Sequence, residues 1–273
     1  MDMNIIVFGA HPDDCELDAG GTGIKWVQAG FRVKFVSVTN GDAGHQDHTR
    51  GELSRIRKAE AAAADKVLGV ESEVLDNHDG ELIPTLEVRH QLLRLIRKWE
   101  ADVVATHRPW DYHPDHRNTA LAVQDTAYMV IVPKVCPDTP ALKKNPVYLY
   151  TADSFAHPEP FRPDIIVPVD DVIGQKVCAL HMMPSQFYEW LPWTAGGLDQ
   201  VPKTVEERRA WLEKRIRSQN ANRFRERTEK LYGKSAAEKV KLTEVFQVCE
   251  YGRQPSKEDI RRLFPFLPEF AKE

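Results

Sequence analysis

The sequence predicts an α/β protein with a Rossmann-like, three-layer α/β/α fold built around a mostly parallel sheet. Short apolar runs rich in β-branched residues alternate with amphipathic segments of helical length through residues 4–130. Glycines and prolines separate many of these segments, as is common at the ends of helices and strands. Regular alternation of strands and helices favours parallel strands with helices on both faces of the sheet.

Four strands are predicted in the first half of the chain, because each contains consecutive apolar or β-branched residues. They span residues 4–10, 32–39, 73–75 and 102–106. The helices between and after them are predicted from an apolar stripe with helical periodicity. Their spans are 21–29, 53–68, 86–99 and a last helix from Pro114 to about Val130. Gly30 and Gly69 should end the first two helices, and Thr85 should cap the third.

The second half is less regular, with prolines marking a loop after residue 133. Strands are predicted at 147–150, 165–169 and 242–249, with a helix over 172–181 and a charged helix or helix pair over 205–232. We therefore expect residues 1–273 to form a single domain. A helical C-terminal elaboration, inserted at about 187–240, could carry substrate or assembly specificity.

The composition is that of an ordinary globular protein of 273 residues, with a formal net charge of −4. This charge gives no general case for nucleic-acid binding. The four cysteines form no CxxC pair, so neither a zinc ribbon nor a disulfide framework is indicated. Since there is no secretory signal at the N-terminus and no apolar run of the ~18 residues needed to span a bilayer, we expect a cytoplasmic protein without a transmembrane segment.

Residues 203–241 are strongly basic, with 13 Lys and Arg against 6 Glu. Such a segment is most often a solvated helix face, although an acidic partner, an anionic lipid surface or another subunit could bind it. The nearby tryptophans Trp190, Trp193 and Trp211 could pack internally, stack on sugar rings or form an interface of a homo-oligomer.

Two short motifs carry most of the chemical information. His11-Pro12-Asp13-Asp14 follows the first strand, and His113-Pro114-Asp115-His116 follows the strand at 102–106. Ligands of open α/β sheets bind beyond the carboxyl ends of the strands, which is where both motifs should lie. Imidazoles and carboxylates suit a hydrolytic Zn²⁺ site with an open position for water. Of Asp13 and Asp14, one could bind the metal while the other acts on the metal-bound water. Of His113 and His116, one could bind the metal while the other polarises a carbonyl group or protonates the leaving amine.

The residues around these motifs resemble a known family. Residues 9–16, which read Gly-Ala-His-Pro-Asp-Asp-Cys-Glu, together with Gly20-Gly21-Thr22, are similar to the first signature of the PIG-L/LmbE-like N-acetylglucosaminyl deacetylases. His113-Pro114-Asp115-His116 is similar to the second signature. Weaker similarities lie at 57–60, at Lys176 and around Glu244.

The resemblance implies a Rossmann-like fold and one divalent metal ion, usually Zn²⁺, although Fe²⁺ or Co²⁺ could also fit two histidines and one aspartate. It implies three metal ligands, which are His11, Asp14 and His116. Asp13 would then be the general base, and His113 would stabilise the oxyanion or act as an acid with support from Asp115.

Four further residues are candidates for binding substrate. Asn40 and Asp42 lie in a loop after the second strand that could bind sugar hydroxyls or could be a glycine-rich turn. Arg57 could engage an anionic group, although an ion pair is the more common use. Tyr112 directly precedes the second motif and could contact substrate or form the pocket wall.

These expectations combine into a metal-dependent hydrolase that removes an N-acetyl group from an amino sugar or its conjugate with metal-activated water. The partner would be that small molecule, and no nucleic acid. The alternatives are hydrolysis of another ester or amide bond and, less readily, a non-catalytic binding protein on the same fold.

Overall fold

The structure is a computed structural model that describes residues 3–271. Within this range, seven strands form one sheet: β1 (Asn4–Gly9), β2 (Arg32–Thr39), β3 (Glu71–Asn77), β4 (Val103–Thr106), β5 (Val147–Thr151), β6 (Ile165–Pro168) and β7 (Thr243–Val248). Their order across the sheet is β3-β2-β1-β4-β5-β7-β6. The first five strands are parallel, and β7 runs antiparallel to both β5 and β6. The α/β class and the mostly parallel sheet are thereby confirmed.

The strand order places a switch point beside β1. The chain moves from β1 to β2 and β3 on one side and then returns to β4 on the other side. Loops that leave β1 and β4 therefore diverge and open a crevice at the carboxyl edge of the sheet, where open α/β proteins bind their ligands. Both His/Asp motifs lie in these two loops.

Helices cover both faces of the sheet. They are α1 (Asp14–Gln28), α2 (Arg50–Leu68), α3 (Leu86–Lys98), α4 (Pro114–Gln124), α5 (Ile173–Leu180), α6 (Leu191–Thr194), α7 (Val205–Gln219), α8 (Arg225–Tyr232), α9 (Lys234–Lys239) and α10 (Lys257–Leu263). One apolar cluster joins α1, α2 and α5 to the sheet, and a second joins α3 and α4 to its other face. In the described part of the chain, no helix is long and apolar enough to cross a membrane.

Helix α1 begins seven residues earlier than the sequence predicted, at Asp14 instead of Gly21. Gly20 and Gly21 lie inside the helix, and at Gly21 the small size matters more than the low helix propensity. A Cβ atom at Gly21 would lie 2.8 Å from Val169 Cγ1 and 3.0 Å from Glu244 Oε1. Gly21 therefore allows α1 to pack closely against β7 and the segment after β6, and it does not mark the start of a helix.

A buried ion pair holds α1 against the sheet. Lys176 Nζ on α5 donates to Glu244 Oε1 on β7 over 2.7 Å, and neither side chain is appreciably exposed. The Glu244 carboxylate also accepts from the backbone N–H groups of Gly21 and Thr22. Lys176 Nζ donates in addition to the carbonyl oxygen of Leu17. Since every charge has partners, this pair can link α1, α5 and β7 without leaving a charge unsatisfied.

The fourth helix ends earlier than predicted. It stops at Gln124, and Tyr128 then adopts a positive φ of 64° before a single 3₁₀ turn at Met129–Ile131. The Arg97 guanidinium holds this irregular segment by donating to backbone carbonyl oxygens, including those of Met129 and Val130. Val130 is nevertheless buried. The apolar periodicity therefore predicted the burial of Val130 correctly but placed the end of the helix too far along the chain.

The charged segment over 205–232 forms a helix pair, α7 and α8, with a turn between them. The sequence did not predict α9 or α10, both of which are short. A π-helix at Ser185–Trp190 precedes α6 and was also not predicted. This element matters because Gln186 and Trp190 both line the cavity described next.

Candidate active site

A cavity of about 470 Å³ lies at the carboxyl ends of β1 and β4. The loop from β1 into α1 supplies His11, Asp13 and Asp14, and the loop from β4 into α4 supplies His113 and His116. Pro114 is the first residue of α4, and His113 caps that helix by accepting from the Asp115 backbone N–H. The first motif leads into the start of α1 and the second into the start of α4, so the two helices hold the motifs on opposite sides of the cavity.

Three donor atoms at the centre of the cavity form a nearly equilateral triangle. His116 Nε2 lies 3.3 Å from His11 Nδ1, and Asp14 Oδ2 lies 3.4 Å from His11 Nδ1 and 3.5 Å from His116 Nε2. Ligands at 2.0–2.1 Å in a tetrahedral zinc shell are separated by about 3.3–3.4 Å. The triangle thus has the dimensions of three corners of such a shell, and these residues fit a divalent ion with one open position.

Two carboxylates orient His11 from behind. Its Nε2 lies 3.2 Å from Asp79 Oδ1 and 3.3 Å from Asp115 Oδ2. Asp115 is fully buried and is held in turn by the backbone N–H groups of Gly80 and Leu82. When the ring is neutral and donates from Nε2 to these carboxylates, the lone pair of Nδ1 is left free for a metal ion at the centre of the triangle. The Asp115 carboxylate therefore contacts His11, whereas the resemblance assigned it to the support of His113.

The other histidine of the triangle has a similar arrangement. Asp111 Oδ2 lies 3.2 Å from His116 Nδ1, which leaves Nε2 for the centre. The His107 ring stacks on the His116 ring with centroids 4.1 Å apart, and His107 Nε2 lies 3.3 Å from Asp14 Oδ2. His107 also accepts from the backbone N–H of Ala10, so it fixes the loop after β1 against the loop after β4.

The charge distribution favours a cation at this place. Burial acts to lower the pKa of His11, but hydrogen bonds with Asp115, Asp14 and Asp79 raise it well above its usual value. Burial likewise acts to raise the pKa of Asp14, but the neighbouring His116 and His107 hold it well below its usual value. The carboxylates therefore affect the pKa of His11 more than its burial does. The negative potential that stabilises a protonated imidazole here also attracts a metal ion.

Asp13 lies beside the triangle in a strained conformation. Its φ of 154° is in the region that L-residues rarely adopt, and such strain is concentrated at functional sites. Burial raises the pKa of Asp13 from its usual 3.8 to about 6, although the Arg57 guanidinium acts to lower it. Arg57 Nη2 lies 3.2 Å from Asp13 Oδ1 and donates to the Pro12 carbonyl oxygen over 2.6 Å. The Asp13 carboxylate is therefore fixed in position, and its pKa allows it to accept and release a proton near neutral pH.

His113 is half-buried at the cavity wall. Burial, with the neighbouring His11 and His116, lowers the pKa of His113 below its usual value, so the ring is neutral near pH 7. Its Nδ1 accepts from the Asp115 backbone N–H over 3.2 Å. The proton of a neutral ring must then reside on Nε2, which makes His113 a hydrogen-bond donor to the cavity.

The substrate candidates separate into two groups. Tyr112 and Arg57 line the cavity, Tyr112 as an exposed wall residue and Arg57 as the buried partner of Asp13. Asn40 and Asp42 are buried outside the cavity wall. The Asn40 side chain caps the Asp42 backbone N–H, and Asp42 accepts from the Asp79 backbone N–H. Their hydrogen bonds shape the loop that holds Asp79.

Sequence reasoning missed three residues that line or contact the site, namely Asp18, Asp79 and His107. A signal for His107 was present, because it directly follows β4 at the carboxyl edge of the sheet. Asp79 likewise follows β3 after a short interval. Asp18 lies one helical turn beyond Asp14 on α1 and faces the same cavity, but the late start predicted for that helix concealed it.

The fold and the site define a class: a Rossmann-like α/β protein with a His/Asp cluster, suited to a divalent metal, at the switch point of its sheet. Residues 6–127 match the family described as PIG-L, GlcNAc-PI de-N-acetylase. The resemblance stated from the two signatures is thereby confirmed.

Individual relatives agree with this family. The diacetylchitobiose deacetylase of Thermococcus kodakarensis is 29% identical over 197 residues, which cover 69% of this chain and 73% of the relative. A probable N-acetyl-α-D-glucosaminyl L-malate deacetylase of Bacillus anthracis is 24% identical over 234 residues, which cover 78% and 93% of the two chains.

Solved structures give the same picture of the fold. The N,N′-diacetylchitobiose deacetylase of Pyrococcus horikoshii superposes with a TM-score of 0.69 and 25% identity, covering 90% of this chain and 83% of its own. A 4-carboxy-2-hydroxymuconate hydratase of Pseudomonas putida superposes with a TM-score of 0.67 and 19% identity, covering 94% and 99%. The second likeness shows the fold alone, so the reaction must be argued from the site.

Proposed function

We propose that this protein is a metal-dependent hydrolase that removes the N-acetyl group from an amino sugar or an amino-sugar conjugate. The observation that carries the proposal is the triangle of His11 Nδ1, Asp14 Oδ2 and His116 Nε2, with separations of 3.3–3.5 Å. The similarity to deacetylases of N-acetylated sugars supports the choice of bond and substrate class.

His11, Asp14 and His116 would hold one divalent ion, for which we propose Zn²⁺, with Fe²⁺ or Co²⁺ as substitutes that fit the same donors. When bound, the ion supplies Lewis-acid polarisation of the attacking water and of the acetamide carbonyl group. Asp79, Asp115 and Asp111 orient the two imidazoles, so these side chains determine which ring nitrogen is free to bind.

Asp13 takes a proton from the attacking water. Its carboxylate is ionised in most molecules above pH about 6, and its contact with Arg57 stops it from turning toward the metal ligands. Loss of this proton allows the water oxygen to form a bond to the carbonyl carbon, and the carbonyl π electrons move to oxygen. A general base that is positioned in this way contributes a factor of about 10²–10⁴ in rate.

His113 donates a hydrogen bond from Nε2 to the oxyanion that develops on the former carbonyl oxygen. A neutral donor fixed by a helix cap needs no reorganisation as this charge appears, which is the condition for effective oxyanion stabilisation. The amide C–N bond then breaks, and the proton held by Asp13 passes to the leaving nitrogen. The products are acetic acid and the free amine, which become acetate and the protonated amine when the acid's proton passes to the nitrogen, so atoms and protons balance with one water consumed.

The test is acetate release from N-acetylglucosamine and diacetylchitobiose by protein that has been stripped with a chelator and then reloaded with Zn²⁺, Fe²⁺ or Co²⁺. We expect no release from stripped protein and recovery with at least one metal. His116→Ala should lose both the bound metal and the activity. His90→Ala changes a partly exposed histidine of α3 outside the cavity and should retain both.

Two results would contradict different parts of the proposal. Acetate release that persists in stripped protein would exclude the metal role. Stoichiometric metal binding that needs His116, without acetate release from any N-acetylated sugar, would support the metal site and exclude the deacetylase assignment.

A further inference from the structure

A second group of metal-ligating side chains lies outside the triangle of donors. His45, His48 and Glu189 each offer one donor atom, and these three atoms lie within 4.8 Å of one another. Among residues 3–271, every other group of donors this close together contains a residue of the triangle. Two imidazoles and one carboxylate are donor types that bind Zn²⁺. The group is therefore a separate candidate for a metal ion.

The donors come from two segments that are far apart in the sequence. His45 and His48 belong to the loop at residues 40–49, which connects β2 to α2. Glu189 belongs to the π-helix at Ser185–Trp190. An ion bound by all three side chains would therefore join the loop to the π-helix.

Contacts beside the group already hold these segments together. The Gln186 side chain donates to the Gly44 carbonyl oxygen over 3.1 Å. A Cβ atom at Gly44 would lie 3.4 Å from Trp190 Nε1, so the loop packs closely on the π-helix. The Glu60 carboxylate on α2 accepts from the backbone N–H and the hydroxyl of Ser185. The fold thus brings the donors together without an ion, which reduces the cost of ordering them when one binds.

One donor of the group is fixed in place, and the other two can adjust. The His45 side chain is 3% exposed, whereas that of Glu189 is 43% exposed and His48 is exposed. The His45 and His48 ring centroids are 4.4 Å apart, and His45 Nε2 lies 2.9 Å from Glu189 Oε2. Zinc ligands in a tetrahedral shell are about 3.3 Å apart, so Glu189 has to move outward by only a few tenths of an ångström.

The hydrogen bonds of His45 determine how tightly an ion can bind. The Asp47 N–H donates to His45 Nδ1 over 3.1 Å, so a neutral ring carries its proton on Nε2 and donates it to Glu189. Metal binding at Nε2 moves that proton to Nδ1, and the Asp47 N–H loses its acceptor. Asp47 is exposed, so water can replace this bond. The triangle needs no such exchange, and it should therefore bind Zn²⁺ more tightly.

We propose that His45, His48 and Glu189 form a second Zn²⁺ site, weaker than the triangle, that cross-links the loop at residues 40–49 to the π-helix. Water would complete the coordination, since the group is open to solvent. The bound ion would stiffen one wall of the catalytic cavity, because residues of both segments line it. The inference concerns metal binding alone and does not depend on the deacetylase assignment.

The experiment titrates chelator-stripped protein with Zn²⁺ in competition with a chromophoric chelator. Gel filtration removes a weakly held ion, so the metal content of purified protein reports the triangle, whereas the titration reports both sites. The unmodified protein should bind two ions per chain, the second at least tenfold more weakly. His48→Ala should keep the tight ion and lose the weak one, and His116→Ala should do the reverse. His90→Ala, on α3, is the matched control and should keep both ions.

Hydrogen exchange followed by mass spectrometry tests the cross-link. The second equivalent of Zn²⁺ should slow exchange in residues 40–49 and 185–190 of the unmodified protein and have no effect in His48→Ala. A single ion per chain in the unmodified protein would overturn the inference. A second ion that binds equally well to His48→Ala and Glu189→Gln would place it elsewhere and also overturn it. A second ion that leaves exchange in both segments unchanged would exclude the cross-link.

Discussion

Replacing Lys176 by methionine tests how the fold holds the helix that carries Asp14. Lys176 and Glu244 are both buried, and their contact of 2.7 Å lies in a region without bulk water. The pair contacts the Leu17 carbonyl oxygen and the Gly21 N–H, the two groups that a regular α-helix would bond to each other. Lys176→Met keeps most of the side-chain volume and removes the charge and three donated hydrogen bonds.

The expected loss follows from the charge that remains. Glu244 keeps its contacts with the Gly21 and Thr22 N–H groups but loses its counter-ion. Removal of one partner of a buried ion pair costs about 3–5 kcal/mol. At about 2 °C per kcal/mol for a chain of this size, the melting temperature should fall by roughly 6–10 °C.

The assay is equilibrium unfolding by guanidinium chloride, followed by circular dichroism, with thermal melting as a second measure. Lys25→Met is the matched control, since Lys25 lies on α1 and pairs with the exposed Asp171. A pair with one solvated partner contributes about 0–1 kcal/mol. The double variant Lys176→Met with Glu244→Gln should be more stable than Lys176→Met alone, because it removes the unpaired charge.

Two outcomes would refute this reasoning. A loss below about 1 kcal/mol in Lys176→Met would mean that the buried carboxylate does not need its counter-ion. A double variant that is no more stable than Lys176→Met would mean that the loss comes from packing and not from charge.

Three further predictions concern the site and its support. Asp115→Asn should weaken Zn²⁺ binding by about 10–100-fold, because His11 loses the carboxylate that orients its ring; competition with a chromophoric chelator measures this, and unchanged affinity would contradict it. Arg57→Met should shift the lower limb of the pH–rate profile to higher pH, because the guanidinium acts to lower the pKa of Asp13; an unshifted limb would mean that Arg57 acts only on the Pro12 carbonyl. Burial raises the pKa of Asp65 to about 7, from its usual 3.8, so the folded state binds an extra proton in this interval and stability should decrease as pH rises from about 4 to 7. Urea unfolding at several pH values should show a smaller decrease in Asp65→Asn, and an equal decrease would assign the effect to other groups.

The sequence was most informative where local pattern and tertiary structure agree. The strand at 32–39 was predicted with its observed bounds, because the consecutive β-branched and aromatic residues are buried between β1 and β3. Gly69 ends α2 with a φ of 83°, and Thr85 caps α3 through the Val88 N–H, as their residue types indicated. These features depend on a few neighbouring residues.

Errors arose where a distant contact overrides local preference. The sequence placed the start of the first helix at about Gly21, but this glycine lies inside α1, where it allows close packing against Val169 and Glu244. The antiparallel insertion of β7 between β5 and β6 depends on pairing between residues far apart in the sequence. No local pattern records such a pairing.

The candidate site shows the same division. The two signatures contain the triangle of donors and Asp13, so their residue types could be recognised from the sequence. Asp79 and His107 reach the triangle from other loops, and only the folded chain brings them there. The buried contact of Arg57 with Asp13 also could not be read from the sequence, since it joins α2 to the loop after β1.

The most direct measurement of the central claim is a comparison of the unmodified protein with Asp13→Asn, with metal content and acetate release determined on the same samples. We expect equal metal content, because Asp13 lies outside the triangle of ligands, and a decrease in kcat by a factor of about 10²–10⁴, because the general base is gone. Undiminished acetate release by Asp13→Asn would contradict the assignment of the base. Loss of the metal would instead place Asp13 among the ligands.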